Sequence, residues 1–242
     1  MAVDPLMDEM RSLADLLDLQ HLDSDIDRLL ETRQSLPELE QYRVAAEESD
    51  RAAAALAEAE ESLRSTELAV DRADGELKIM EERVRQTERR LFAGGMSARE
   101  TENMRLDVEM LRKQQSELET AVLEGLERRD ALTEAVEKAS RAASQARDRR
   151  QALESVIAAA WKEIDAALAV NETKKKDLLP VVDRDLLELY ERLRDIKEGV
   201  AVGALEGGVC GGCHLKLSAA ELEEALSAHP PRCTHCRRIL VP

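Results

Sequence analysis

The chain has 242 residues, of which 36% are charged and 2% aromatic, with one Trp, one Phe and two Tyr. Ala, Leu, Glu and Arg stand where the wall of a catalytic pocket would draw on large aromatic and branched side chains, which argues against a globular enzyme and for long helices burying a narrow seam. The formal net charge of −16 repels nucleic acid and anionic lipid at long range, so any such binding has to be local.

Asp4, Asp8, Glu9 and Asp15 occupy the first 17 residues in place of a basic segment followed by an apolar one, so no secretory signal is expected there. The longest charge-free apolar stretches, such as 157–161, are too short to cross a bilayer. The expectation is a cytoplasmic protein with no membrane partner. The four cysteines fit it, because all lie in the last 33 residues in a metal-type spacing, not in a scattered disulfide framework.

In chain order, residues 6–33 place Leu19, Leu22, Ile26 and Leu29 at helical spacing, which predicts a first helix with one buried stripe. Ser35-Leu36-Pro37-Glu38 has the form of a capping box with Pro early in the turn, so a bend and a second helix are predicted there. From that point the period is seven. Leu56, Leu63, Val70, Leu77, Val84 and Leu91 recur with Ala59, Thr66, Ala73, Met80 and Thr87 between them, the pattern of a coiled-coil seam.

The seam stops at Gly94-Gly95, and Ser97 with Glu100 offers a second capping box, so the chain is expected to reverse. Met104, Leu111, Leu118, Leu132, Ala139, Ala146, Leu153 and Ala160 then keep the period, joined by Val108, Val122, Val136, Ile157 and Ile164. Two arms of matching period predict an antiparallel hairpin, with an outgoing arm of roughly 80 Å at helical rise. Residues 153–168 are expected to pack on the first helix. Gln115, Gly125, Arg129 and Arg150 interrupt the seam, either fixing register or loosening a face for binding; Gly125 is expected to cost roughly 1 kcal/mol relative to Ala.

Lys174-Lys175-Lys176 reads as a solvated helix end that complements the carbonyl dipole, against a phosphate site as the alternative. After Pro180 a short amphipathic helix is predicted from Asp183 to Gly199, followed by β-like pieces at 200–205, 214–217 and 238–241. Between these lie Cys210-Gly211-Gly212-Cys213 and Cys233-Thr234-His235-Cys236, separated by nineteen residues. In that segment Ser218 and Glu221 form a third capping box, opening a helix that His229-Pro230-Pro231 ends. Two residues between thiolates let each turn present both sulfurs to one ion, and two such turns complete a tetrahedron. Cys210, Cys213, Cys233 and Cys236 are therefore read as ligands of one structural Zn²⁺, which is expected to supply most of the ribbon's stability.

Four thiolates leave no open position, so His214 and His235 are read as surface or outer-sphere imidazoles and no residue is assigned a catalytic role. Arg232, Arg237 and Arg238 form a candidate nucleic-acid contact near the second knuckle, although no aromatic side chain is present to stack a base.

The stretches Leu189-Tyr190-Glu191-Arg192-Leu193-Arg194, Cys210-Gly211-Gly212-Cys213-His214-Leu215-Lys216-Leu217-Ser218 and Cys233-Thr234-His235-Cys236-Arg237-Arg238-Ile239-Leu240-Val241-Pro242 resemble a bacterial C4-type zinc-ribbon, coiled-coil family long of unknown function. The resemblance covers nearly the whole chain. It implies zinc on those four cysteines and a role as an interaction or chaperone-like factor. Some relatives are linked to alternative sigma factors, to flagellar or type III secretion components, and to RNA. Where the family carries Pro-Lys at the tip, this chain carries Ala98-Arg99.

The reading at this stage is a mainly α protein with a long antiparallel coiled-coil helical hairpin and a small C-terminal C4 zinc ribbon. The hairpin is assigned to 1–176 with its tip near 93–97, a linker helix to 177–199 and the ribbon to 200–242. The expected function is a non-enzymatic, zinc-binding interaction scaffold or chaperone-like adaptor with an unidentified protein partner, and the alternative is RNA or DNA binding through the ribbon. Whether two hairpins associate is left open.

Overall fold

The computed structural model describes residues 5–242, with side chains from Met10 onward. Residues 1–4, including Asp4, lie outside the described residues, as do the side chains of Asp8 and Glu9. The elements in order are α1 (Pro5–Gln34), α2 (Pro37–Phe92), α3 (Ala98–Leu178), α4 (Arg184–Ile196), β1 (Val202–Glu206), β2 (Val209–Cys210), α5 (Ala219–Ser227) and β3 (Ile239–Val241). The contacts divide them into two compact units. One is Glu40–Glu154; the other gathers the residues up to Leu39 with Ser155–Pro242.

Unit 40–154 is the coiled-coil hairpin. Every residue assigned to its seam is buried or half-buried, with Val70, Val84, Val108 and Leu111 among the most buried. The pairs Glu88 with Arg112 (2.8 Å) and Glu48 with Arg149 (3.1 Å) bridge the arms near each end; they are separated by 40 residues along α2 and 37 along α3, so the register holds to within about one helical turn between them. Gly125 has a reason that the period alone did not supply. A Cβ there would lie 2.8 Å from Val70 Cγ2, so the missing side chain is the space into which Val70 packs. Arg150 turns out over the Tyr42 ring at 5.8 Å, and Arg129 pairs with Asp130, as charged heads reaching solvent from a seam position do. At the tip Gly94 (φ 78) and Gly95 (φ 87) take the left-handed conformation. Ser97 N–H donates to Glu100 Oε2 (2.8 Å), the reciprocal half of the expected capping box.

The other unit holds a continuous apolar core. Leu13, Leu16 and Leu19 of α1 pack with Tyr190 and Leu193 of α4 and with Ala201, Val202, Ile239 and Val241 of the ribbon. Full burial of each of those three leucines contributes about 1.5–3 kcal/mol. The sheet order is β2-β1-β3, with β1 antiparallel to β2 and parallel to β3, Val202 opposite Ile239. The ribbon's main sheet therefore shares a core with α1 and α4, where the sequence suggested a small module relying mostly on its ion. The C-terminal end of α1 meets α3 as expected: Trp161 Nε1 donates to the Arg33 carbonyl (3.1 Å), and Arg33 stacks over the indole at 5.1 Å.

Three local expectations are corrected. The Ser35 hydroxyl donates to the Glu31 carbonyl (2.8 Å), so it closes α1 instead of opening α2. Residues 214–217 form no strand, because His214 takes φ 60 and folds the chain back onto Cys210; Lys216 keeps only an isolated bridge to Val209. Lys175 is neither a solvated helix end nor a phosphate site, because its Nζ lies 2.7 Å from the buried Asp23 carboxylate.

Candidate metal centre

Each cysteine pair sits in a turn of the same construction. In the first, Cys210 N–H donates to the Leu215 carbonyl (3.0 Å) and His214 N–H to the Cys210 carbonyl (2.7 Å). In the second, Cys233 N–H donates to the Arg238 carbonyl (3.0 Å) and Arg237 N–H to the Cys233 carbonyl (2.9 Å). The residue after the second cysteine, His214 or Arg237, is left-handed in both, at φ 60 and φ 65. The repeated geometry brings the four ligand atoms within 4.8 Å of one another.

Cys210 Sγ lies 3.9 Å from Cys236 Sγ, and Cys213 Sγ lies 3.9 Å from Cys233 Sγ. A disulfide needs about 2.05 Å, whereas four sulfurs at about 2.3 Å from a central Zn²⁺ stand about 3.8 Å apart. The spacing is that of a tetrahedral edge, and the donor set, four soft thiolates, is the one zinc takes in closed structural sites. The residues present therefore fit one structural zinc held by Cys210, Cys213, Cys233 and Cys236. The ion would supply a positive centre that keeps the thiols deprotonated.

The protein prepares unequal thiols. Burial pushes the Cys210 thiol up to about 12, against the pull of the Cys213 and Gly212 N–H groups. Burial acts on Cys233 in the same sense, but N–H groups of Cys236 and His235, together with neighbouring thiols, outweigh it and leave that thiol below its ordinary value. Backbone N–H groups aimed at sulfur are the feature that the two-residue spacing predicts.

Of the three arginines proposed to contact nucleic acid, the structure does not bring all three to one open surface. Arg238 donates from Nε to the Val200 carbonyl (2.7 Å), and from its terminal nitrogens to the carbonyls of Gly212 (2.8 Å) and Lys197 (3.2 Å). It ties the second knuckle to the first and to the turn after α4. Gly212 makes room for it, since a Cβ there would lie 2.6 Å from Arg238 Cδ. Arg237 is exposed and Arg232 half-buried. His214 is exposed, and His235 Nε2 lies 3.3 Å from Glu221 Oε1, so neither imidazole joins the four sulfurs. Ser218 and Glu221 complete the expected capping box of α5.

Sequence reasoning missed a polar cluster in the core that α1 and α4 share with the ribbon's sheet. Gln20 of α1 is buried; its Oε1 accepts from the N–H groups of Ala201 (2.6 Å) and Val202 (3.2 Å), and its Nε2 donates to the Gly199 carbonyl (2.9 Å). One turn on, Asp23, 1% exposed, accepts from Tyr190 OH (2.7 Å) and meets Lys175 (2.7 Å) and Arg194 (3.2 Å). Burial first, then the bond to Asp23, raises the Tyr190 phenol above its ordinary value. The available signal was that Gln20 and Asp23 fall on the helical face that continues Leu13, Leu16 and Leu19.

Among the described residues no helix is long and apolar enough to cross a membrane. Residues 19–198 match the family described as CT398-like coiled coil hairpin domain, and residues 209–240 match the C4-type zinc ribbon domain. The chain is 28% identical over 229 residues to an uncharacterized protein of Mycobacterium tuberculosis, covering 93% of each. A solved structure from Mycobacterium smegmatis superposes with a TM-score of 0.79 at 23% identity, covering 96% of this chain and 97% of that one. CT398 from Chlamydia trachomatis gives 0.71 at 18% identity, covering 96% and 98%. With a heptad seam through 40–154 and four sulfurs set for zinc, the chain belongs to the CT398-like coiled-coil hairpin family and carries a C4-type zinc ribbon at its C-terminal end.

Proposed function

We propose that the chain is a non-catalytic interaction scaffold, in which zinc holds the ribbon and the hairpin presents helical surface to a protein partner. The observation that carries this reading is how the chemistry-bearing side chains are used. The four thiols face one another, His235 faces Glu221, Asp23 is enclosed by Tyr190, Lys175 and Arg194, and Arg238 is bound to three carbonyls. A surface cavity lined by Arg11, Ser12, Asp15, Asp183, Asp185 and His229 does gather such groups, but its Ser12 hydroxyl accepts from the Asp183 N–H (3.0 Å) at the cap of α4, so that hydroxyl too is used in holding the fold. What is left facing solvent is long helix, which suits recognition of another chain.

The nucleic-acid alternative keeps Arg237 and Arg232 in the ribbon but loses Arg238 as a free cation, and it works against a net charge of −16. Affinity purification of the full-length, zinc-loaded chain from the native cytoplasm, with mass spectrometry and RNA sequencing of the same eluate, tests both. Specific protein partners that survive nuclease and moderate salt are the expected result. Recovery of RNA alone, lost on Arg237→Ala, would favour the alternative.

A further inference from the structure

The hairpin tip is one of the locally basic stretches of the chain. Residues 83–113 carry eight basic and five acidic side chains in a chain of net charge −16. Three of the eight are held in ion pairs: Arg85 by Glu82, Arg105 by Glu102 and Arg112 by Glu88. Arg83, Arg89, Arg90, Arg99 and Lys113 are exposed and form no ion pair among the described residues. On the acidic side Glu100 is in the cap of α3, and Glu88, Glu102 and Glu109 are paired.

Phe92, the chain's sole Phe, stands among these cations at 82% exposure. It borders a shallow hollow with Arg85, Glu88, Arg89 and Ala93. The fold does not need it: the seam ends at half-buried Leu91, and Gly94, Gly95 and the Ser97 cap make the turn. The remaining aromatic residues are engaged, Tyr42 under Arg150, Trp161 on the Arg33 carbonyl and Tyr190 in the core. A bare aromatic ring beside unpaired arginines is the composition of an interface anchor with a steering rim.

We propose that this tip is the docking site for an acidic peptide segment of a protein partner, with Phe92 making the apolar contact and Arg89, Arg90 and Arg99 holding carboxylates. The proposal rests on the scaffold reading and gives it a surface and a partner chemistry. A peptide fits better than a nucleic acid because the positive area is short. All but five of the 51 acidic residues lie outside it, so a polyanion extending more than about one Debye length, ~8 Å, beyond the tip meets like charge. The site also holds a single ring, where single-strand binding uses a series of them.

The experiment selects binders from a displayed library of random short peptides on the full-length, zinc-loaded chain, with counter-selection on the variant carrying Arg89→Glu, Arg90→Glu and Phe92→Ala. All three positions are exposed and off the seam, and unchanged circular dichroism verifies that the variant folds. Enriched peptides should combine Asp or Glu with an apolar residue. Their affinity should fall at least about tenfold in the arginine double variant and by a similar factor in Phe92→Ala alone, the first loss shrinking with added salt. No enrichment, or enriched peptides that bind the triple variant equally, overturns the proposal. So does tighter, tip-dependent binding of an oligouridylate probe. Native protein partners retained equally by wild type and triple variant overturn the tip and leave the scaffold reading intact. A wild-type chain that retains no native protein counts against the scaffold reading, and the tip falls with it.

Discussion

Val70, Val84, Val108 and Leu111 are buried in the hairpin at places a seven-residue period assigns, whereas Gln20, Asp23 and Tyr190 are buried in the other unit with polar partners that no period assigns. In the hairpin each layer repeats the one before, and the bonds that cross between the arms, such as Glu88 with Arg112, sit at its margin in solvent. In the ribbon unit the bonds are made once and over long sequence separations, Tyr190 to Asp23, Gln20 to Ala201 and Arg238 to Gly212. A repeated seam degrades gradually when one layer is lost. A set of unique, enclosed polar contacts fails together, because each buried group depends on its partner's being in place.

The largest test of that difference is loss of the metal. Cys233→Ser, or a chelator, removes an interaction that in small zinc modules is worth on the order of 10 kcal/mol. Because the ribbon strands share a core with α1 and α4, the loss should extend to those helices and leave 40–154 folded. Hydrogen exchange reads this directly: amides of α1, α4 and β1–β3 should lose protection while those of the hairpin retain it. Equal loss everywhere would erase the distinction between the units, and protection retained in α1 would show that the ribbon's core is its own.

Asp23→Asn comes next. It leaves Lys175 and Arg194 beside a buried neutral amide, and removing one partner of an enclosed charge set costs about 3–5 kcal/mol. The lower end is expected, because the Lys175 and Arg194 side chains keep 31% and 24% of their exposure. Trp161, the chain's single Trp, belongs to this unit and its fluorescence follows the unfolding; the midpoint in urea should drop while far-UV circular dichroism keeps a later, hairpin-dominated transition. A midpoint shift equivalent to less than about 1 kcal/mol would mean that solvent already screens the cluster.

How much could be read from the sequence follows the same division. The seam, the turn at Gly94-Gly95, the caps at Ser97 and Ser218 and the four ligands depend on short spacings, which a linear chain displays openly. Gly125 was visible as a break in the period, but the reason for it, the approach of Val70, depends on which residue faces it across the hairpin. The Gln20 and Asp23 cluster was not legible, because all its partners but Ser24 lie more than 150 positions away and a polar residue on an apolar face does not name them. Arg238 was read as a free cation for the same cause: charge is evident in sequence, while three nearby carbonyls are a product of the fold.

Within the hairpin, Gly125→Ala sets helix propensity against packing. Ala gains about 1 kcal/mol as a helix former, and forcing a methyl to within 2.8 Å of Val70 Cγ2 costs about 1–3 kcal/mol, so a net loss of about 1 kcal/mol is expected. Adding Val70→Ala removes the clash, and in that background Gly125→Ala should stabilise. Thermal unfolding followed at 222 nm in the four proteins of the cycle gives the coupling. No coupling would mean that the glycine serves some purpose other than room for Val70.

The smallest effect has the most specific sign. Arg237 follows the fourth cysteine at φ 65, a conformation that costs an L side chain roughly 1–2 kcal/mol and a glycine almost nothing. Replacing it by Gly relieves that strain but gives the unfolded chain more freedom, worth about 0.4–1 kcal/mol in the opposite direction, so Arg237→Gly should stabilise the ribbon unit by about 0.5 kcal/mol. Arg64 is exposed in α2 with no ion pair among the described residues, and there Arg64→Gly should destabilise the hairpin by roughly 0.5–1 kcal/mol through helix propensity alone. The same exchange thus has opposite signs in the two units, read from urea midpoints by Trp161 fluorescence for the first and by far-UV circular dichroism for the second. If both substitutions destabilise, the left-handed turn after Cys236 carries no strain worth relieving, and the residue there is held by contacts of its side chain instead.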